Sequence, residues 1–299
     1  MDGAPEIDSP TATEGQASGQ ARVVPGQPAI RGLRRIPRGF ASGRIPVVFT
    51  MGKVSSSSIS TAIKRAGLPC HDVHSLNDEH LKLMARKFLD HGEFPPRHVC
   101  VSMAWKGSEI GVRTRCFYIT LVREPVARNL SAFFQNLHEF SHGKTAVNDE
   151  LASKTFEKFR GEYNHNVAGT WFDREFNGEV GIDVFNHKFE KSQKFAVNVR
   201  RNFAVFRIDA PTLVKQAVLS RVFGRRIHIQ RTNDSSAKDY AELYNRVRRI
   251  ARFDEAFLDK IYSTRFAKHF WTKRELDQFK AYWLGKADAQ YDLSGVSED

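Results

Sequence analysis

Cysteine is scarce in this chain. Cys70, Cys100 and Cys116 are the only three in 299 residues, too few for a disulfide framework. Each lies in or beside an apolar run, so all three are expected as buried free thiols, which fits the reducing cytoplasm. Long hydrophobic runs are absent too. No stretch approaches the roughly 18 to 20 consecutive apolar residues that a membrane span requires. The first residues lack the basic and apolar regions of a signal peptide. The chain is therefore expected in the cytoplasm, neither secreted nor membrane-spanning, with peripheral membrane contact left open. There is no internal repeat. No Cys/His cluster has metal-ligand spacing, and the pair His71-x-x-His74 alone does not argue for zinc, so no metal is expected.

Acidic residues are also in deficit. Lys and Arg number 46 against 34 Asp and Glu, a formal net charge of +12. Such an excess points to a polyanionic partner: nucleic acid, anionic lipid, an acidic glycan or a phosphorylated nucleotide. Its distribution is uneven. Residues 1–21 are rich in small and polar types with almost no large apolar side chains, the composition of a disordered tail. Residues 22–44 hold six arginines and no acidic residue, interrupted by Pro25, Pro28 and Pro37. They read as a solvated basic linker or as an arm for an anionic surface. The expected organisation is thus a disordered, arginine-rich tail over 1–44 and one domain over 45–299.

From Ile45 the pattern becomes regular. The run Ile45-Pro-Val-Val-Phe-Thr-Met51 predicts a strand, residues 52–58 a loop, and residues 59–66 a helix ended by Gly67. A second strand is expected over 70–76. Asn77 is a candidate N-cap for a helix over 78–90, which Gly92 and Pro95-Pro96 stop. Residues 98–103 and 116–122 read as two more buried strands, and Pro125 opens a helix reaching Phe140. Further on, 203–208 predicts a strand, 211–223 a helix closed by Gly224, and 238–283 a charged, helical region. Strands alternating with helices predict an α/β fold with a mainly parallel sheet flanked by helices, and a helical C-terminal part.

Two segments carry chemistry. Met51-Gly-Lys-Val-Ser-Ser-Ser-Ser58 joins a strand to a helix, where backbone N–H groups and the helix dipole converge on an anion. Gly52, the hydroxyls of Ser55, Ser56, Ser57 and Ser58, and the charge of Lys53 all suit a phosphate-like group. The same composition also suits a helix cap and turn. It is not a Walker A loop, because that motif requires Gly before the lysine and Ser or Thr after it, where this chain has Val54. The second segment is Tyr118-Ile-Thr-Leu-Val-Arg-Glu-Pro-Val-Ala-Arg-Asn-Leu-Ser131. It places Arg123 at the carboxyl end of a strand, where ligands bind in open α/β sheets, and Ser131 about two turns into the next helix. An Arg fork with a Ser hydroxyl can hold a terminal phosphate. The structural alternative is that Arg123 pairs with Glu124 or Asp173.

In this order the two segments resemble the 5′-phosphosulfate and 3′-phosphate elements of the PAPS-dependent sulfotransferases. More narrowly, the loop, Val122-Arg-Glu-Pro-Val-Ala-Arg-Asn-Leu-Ser-Ala-Phe-Phe-Gln-Asn136, Trp171-Phe-Asp-Arg-Glu-Phe176 and Gly181-Ile-Asp-Val184 are similar to capsular polysaccharide synthesis proteins, over roughly residues 45–283. The resemblance implies a P-loop-like sheet, PAPS as donor with PAP as product, Lys53 and the serines on the phosphosulfate, and Arg123 with Ser131 on the 3′-phosphate. It also implies a hydroxyl acceptor, on a carbohydrate or glycolipid. That group usually has glycine where Ser55 stands; if the position requires a positive φ, the serine costs of order a kcal/mol.

In-line sulfuryl transfer needs a base for the acceptor hydroxyl. His74, after the second expected strand, is the first candidate and His71 the second; Glu109 and Asp173 remain possible. Trp171, Phe172 and Asp173 either line the acceptor site or belong to the core. Two other functions stay open. A P-loop kinase would need the Walker spacing and Mg²⁺-binding groups. A non-catalytic polyanion-binding protein would use the basic arm and helices, although no specific nucleic acid is expected.

Overall fold

The structure is a computed structural model that describes residues 30–107, 115–137, 147–230 and 240–285. Five strands form one sheet in the order β2-β1-β3-β5-β4. They are β1 (Ile45–Phe49), β2 (His71–Val73), β3 (Cys116–Val122), β4 (Phe195–Asn198) and β5 (Phe203–Arg207). The first four in that order run parallel, while β4 adds to β5 antiparallel as an edge. The centre of the sheet follows directly from composition. All seven residues of β3 are buried, because a parallel strand covered on both faces needs a continuous apolar run. Pro46 lies near the start of β1, one residue before β2 begins to pair at Val47, so the ladder on that side does not need its missing N–H.

Both faces are covered. Phe49 and Tyr118 meet Phe176 on one face, with ring centroids 5.4 and 6.0 Å apart, and Phe117 meets Phe223 on the other at 5.5 Å. The connections are α1 (Ser56–Arg65), α2 (Asp78–Leu89), α3 (Arg97–Gly107), α4 (Pro125–Leu137), α5 (Asp149–Glu162) and α6 (Val167–Trp171). A π-helical turn over Phe172–Asn177 and the short α7 (Gly178–Val180) follow α6. Beyond the sheet come α8 (Thr212–Phe223), α9 (Ala241–Ile250), α10 (Glu255–Tyr262), α11 (Arg265–Phe270) and α12 (Lys273–Trp283). Asp254, Thr264 and Thr272 cap the last three helices through side-chain oxygens, Thr272 in a reciprocal box with Glu275. The expected α/β class, with a largely parallel sheet flanked by helices and a helical C-terminal part, is what the structure has. Among the described residues no helix is long and apolar enough to cross a membrane.

Three expectations are corrected. Residues 98–103 lie in α3, not in a strand. Val99, Ser102 and Trp105 are buried while Cys100 and Met103 are exposed, a spacing of three that belongs to a helix face, and Val99 packs on Leu81 and Ala85 of α2. Cys100 is accordingly exposed, whereas Cys70 and Cys116 are buried and burial pushes their thiols up to about 12 and about 11. Residues 31–44 are not a free tail. Gly39 and Ala41 donate to the carbonyls of Arg221 and Val222 at 2.7 and 3.1 Å, Arg221 Nε donates to Ile36 O, and Ile36 and Ala41 are buried. Residues 138–140, the expected end of α4, and residues 238–239 lie outside the described residues.

Candidate anion site at the carboxyl edge of the sheet

The turn after β1 is built from left-handed backbone. Gly52, Lys53 and Ser55 have φ of 76°, 58° and 58°. Only Gly52 takes that conformation without steric cost; Lys53 and Ser55 each carry of order 1 kcal/mol of strain, which the surroundings must hold. Ser58 Oγ donates to Ser55 O at 2.9 Å, so this hydroxyl closes the turn. Ser56 is buried at the first position of α1, and Ser57 is half-buried behind it.

What holds the turn comes from α4 and from Arg123, which directly follows β3. Arg128 Nη2 donates to Met51 O, Arg128 Nε to Gly52 O at 3.4 Å, and Arg123 Nη1 to Lys53 O at 3.4 Å. Three successive loop carbonyls thus face two guanidinium groups. Arg128 is buried, and its other bonds go to Asn129 Oδ1 and Tyr163 OH, both at 3.1 Å. All its hydrogen-bond partners among the described residues are therefore neutral. Burial, with the nearby positive charge of Arg123, pulls the Arg128 pKa down, and Tyr163 opposes that only in part. A buried cation without a carboxylate partner is costly, and an anion seated on the loop would offset that cost. Sequence reading passed over Arg128 as one more residue of the motif; its only signal was a second arginine, three residues before Ser131. That spacing puts half-buried Ser131 on the same side of α4 as Arg128.

Glu124 and Asp173, the two carboxylates proposed as partners of Arg123, each have other partners as well. Glu124 is buried and accepts from Val126 N, Ala127 N and Tyr262 OH at 2.9, 2.6 and 2.7 Å, which anchors the first turn of α4 to α10. Burial raises its pKa, and the Tyr262 hydroxyl, the two amides and the charge of Arg123 act against the rise. Asp173 is exposed, 4.0 Å from Arg265, and Trp171 and Phe172 are buried in the aromatic core.

His74 follows β2 and sits beside the loop's first residue. Its Nδ1 is 3.0 Å from Thr50 O and 3.3 Å from Thr50 Oγ1. A carbonyl can only accept, so Nδ1 carries the proton and the neutral ring keeps Nε2 as a proton acceptor. The backbone around it is braced by residues about a hundred positions further along the chain. Trp171 Nε1 donates to His74 O at 3.1 Å, and fully buried Glu175 accepts from Ser75 Oγ, Leu76 N and Asn77 N at 2.7, 2.8 and 3.1 Å. His98 of α3, which sequence reading placed in a strand, brings its ring within 5.5 Å of that of His74. His71 is not gathered in. It opens β2, and its ring lies 5.9 Å from that of Trp105, seven residues beyond His98 in α3. Burial and then the charge of Lys64 lower its pKa. Asp72, on the side of His74, accepts from Ser60 Oγ at 3.1 Å. Glu109 lies outside the described residues.

Fold and geometry define an open α/β protein whose loop, at the carboxyl edge of the sheet, is backed by two arginines and flanked by a histidine. Residues 131–272 match the model of a family described as "Putative capsular polysaccharide synthesis protein". The similarity begins at Ser131 and so covers the π-turn, β4, β5 and most of the helical part, while Lys53, His74 and Arg123 fall outside it. No curated protein and no solved structure matches the chain.

Proposed function

We propose that the chain is a sulfotransferase that uses PAPS as donor and a hydroxyl of a carbohydrate or glycolipid as acceptor. The observation that carries this reading is the buried Arg128, bonded among the described residues only to neutral oxygens, behind a left-handed loop that Arg123 also touches. That arrangement leaves net positive charge where a strand, loop and helix already aim N–H groups. The description of the matching family is compatible with an acceptor of polysaccharide type.

The residues fit the donor as follows. The loop amides, Lys53 and the serines would hold its phosphosulfate, and Arg123 with Ser131 its 3′-phosphate. When bound, PAPS supplies a sulfuryl group: the acceptor oxygen bonds to sulfur while the sulfur–oxygen bond to the 5′-phosphate breaks. Lys53 and Arg128 lower the energy of negative charge on that phosphate. His74, its Nδ1 proton held by Thr50 O, takes the hydroxyl proton at Nε2.

Calorimetric titration with PAP, beside ADP and ATP with Mg²⁺, tests the reading. Selective binding of PAP, weakened about tenfold or more by Arg123→Ala, is expected, since a charged hydrogen bond contributes about 1.5 to 3 kcal/mol. No preference for PAP over ADP would overturn the assignment of Arg123 and Ser131 and, with it, the donor.

A further inference from the structure

Beside the β5 end of the sheet, α10, α11 and α12 line an open groove of about 750 Å³, a size that admits several saccharide units. Five lysines line it, Lys191, Lys260, Lys268, Lys273 and Lys280, against the aspartates Asp259 and Asp277. Lys280 is neutralised by Glu255 and Asp259 at 2.8 and 2.7 Å, and Lys191 Nζ donates to Lys268 O at 2.7 Å. Lys260, Lys268 and Lys273 are exposed and make no ion pair among the described residues. Lys273 is moreover the first residue of α12, where the helix dipole disfavours a cation, so helix stability does not account for it.

The groove adjoins the carboxyl edge that carries the loop. Tyr262 in its wall donates to Glu124 Oε1, the neighbour of Arg123, at 2.7 Å. Trp271 lies 5.4 Å from the guanidinium of Arg207, which pairs with Val122 across the β3–β5 ladder. Both aromatic side chains are buried, at 6% and 2% exposure. They offer no open ring face, and stacking faces are what a nucleic-acid strand uses to bind without base pairing. A chain recognised here is held by charge on flexible lysines instead.

We infer that this groove binds an anionic saccharide, its carboxylate or sulfate groups paired with Lys260, Lys268 and Lys273, and that such a chain is the acceptor class. The acceptor role rests on the sulfotransferase reading; the binding site does not. The test is fluorescence anisotropy of labelled hexagalacturonate on the whole chain, with maltohexaose and hexathymidylate as neutral and nucleic-acid counterparts. Lys260→Ala/Lys268→Ala/Lys273→Ala is compared with Arg34→Ala/Arg35→Ala/Arg38→Ala, which removes equal charge from exposed positions elsewhere. Both change only exposed side chains, and matched melting curves establish that they are folded.

The expected result is hexagalacturonate binding that falls about tenfold or more in the lysine variant and changes little in the arginine variant. PAP titration is expected to be unaltered in both. Equal loss in the two variants, no loss in either, or equal binding of maltohexaose or hexathymidylate through the same lysines overturns the inference. Failure of PAP to bind the wild type, with hexagalacturonate still lost in the lysine variant, overturns the donor reading and leaves the groove standing.

Discussion

At the scale of single residues, two side chains bear opposite burdens. Ser55 sits at φ 58°, a conformation that costs a side-chain-bearing residue and not glycine. Ser55→Gly should raise stability by about 1 kcal/mol and the melting temperature by about 2 °C. A thermal melt checks this, and an unchanged or lowered midpoint would mean that the serine makes good its own strain. His74 is held through Nδ1, so its replacement removes a proton acceptor without touching the loop. His74→Ala should cut turnover by about 10²-fold or more while PAP binding stays near the wild-type value. Unimpaired turnover would remove His74 from the mechanism and direct attention to its neighbour His98.

At the scale of elements, α4 fixes the shape of the loop after β1. Its Arg128 reaches back 77 and 76 residues in the chain to the carbonyls of Met51 and Gly52. The cation gains several hydrogen bonds and loses its hydration, and these oppose one another. Arg128→Met should therefore move the melting temperature little while weakening PAP binding about tenfold or more, because the charge behind the loop is gone. A folded variant with full PAP affinity would make Arg128 a packing residue only. Helix α3 shows how short apolar runs mislead. Residues 98–103 satisfy a strand pattern as well as a helix pattern, and α2 decides between them by offering Leu81 and Ala85 to Val99.

At the scale of the whole molecule, Arg207 joins the sheet to the helical part. It is almost fully buried at the end of β5, bonded to Asp209 at 2.6 and 2.9 Å and to Glu275 of α12 at 2.7 Å. Burial by itself would raise Asp209, but the bonds and charge of Arg207, helped by Lys194, leave its pKa lowered; Glu275 is lowered as well against its burial. Carboxyls lowered in the folded state stabilise it above their unfolded values and lose that contribution as pH falls through the folded ones. Arg207→Met should cost about 3 to 5 kcal/mol near neutral pH, and the gap to wild type should close as pH drops below about 4. Melting temperatures of both proteins between pH 2 and 7 test this; a gap independent of pH would place the stabilisation in packing against Trp271 instead.

The sequence alone determined the α/β class, β1, β3, β5, the loop after β1 and the helices that Asn77, Pro125 and Gly224 delimit. Those features rest on local signals: continuous apolar runs, caps, and residues whose backbone geometry is their own. Tertiary structure alone decided the rest. The edge strand β4 is four residues long and forms because β5 offers it a ladder. Residues 31–44 are ordered by α8, which lies far along the chain. His71 and His74 looked alike in sequence, and only their neighbours separate them, Trp105 for the first and the Thr50 carbonyl for the second. The charge of Arg128 acquires its meaning from burial against a distant loop. Each of these depends on what a residue meets across the fold, and the free energy of such contacts is not encoded in neighbouring residues.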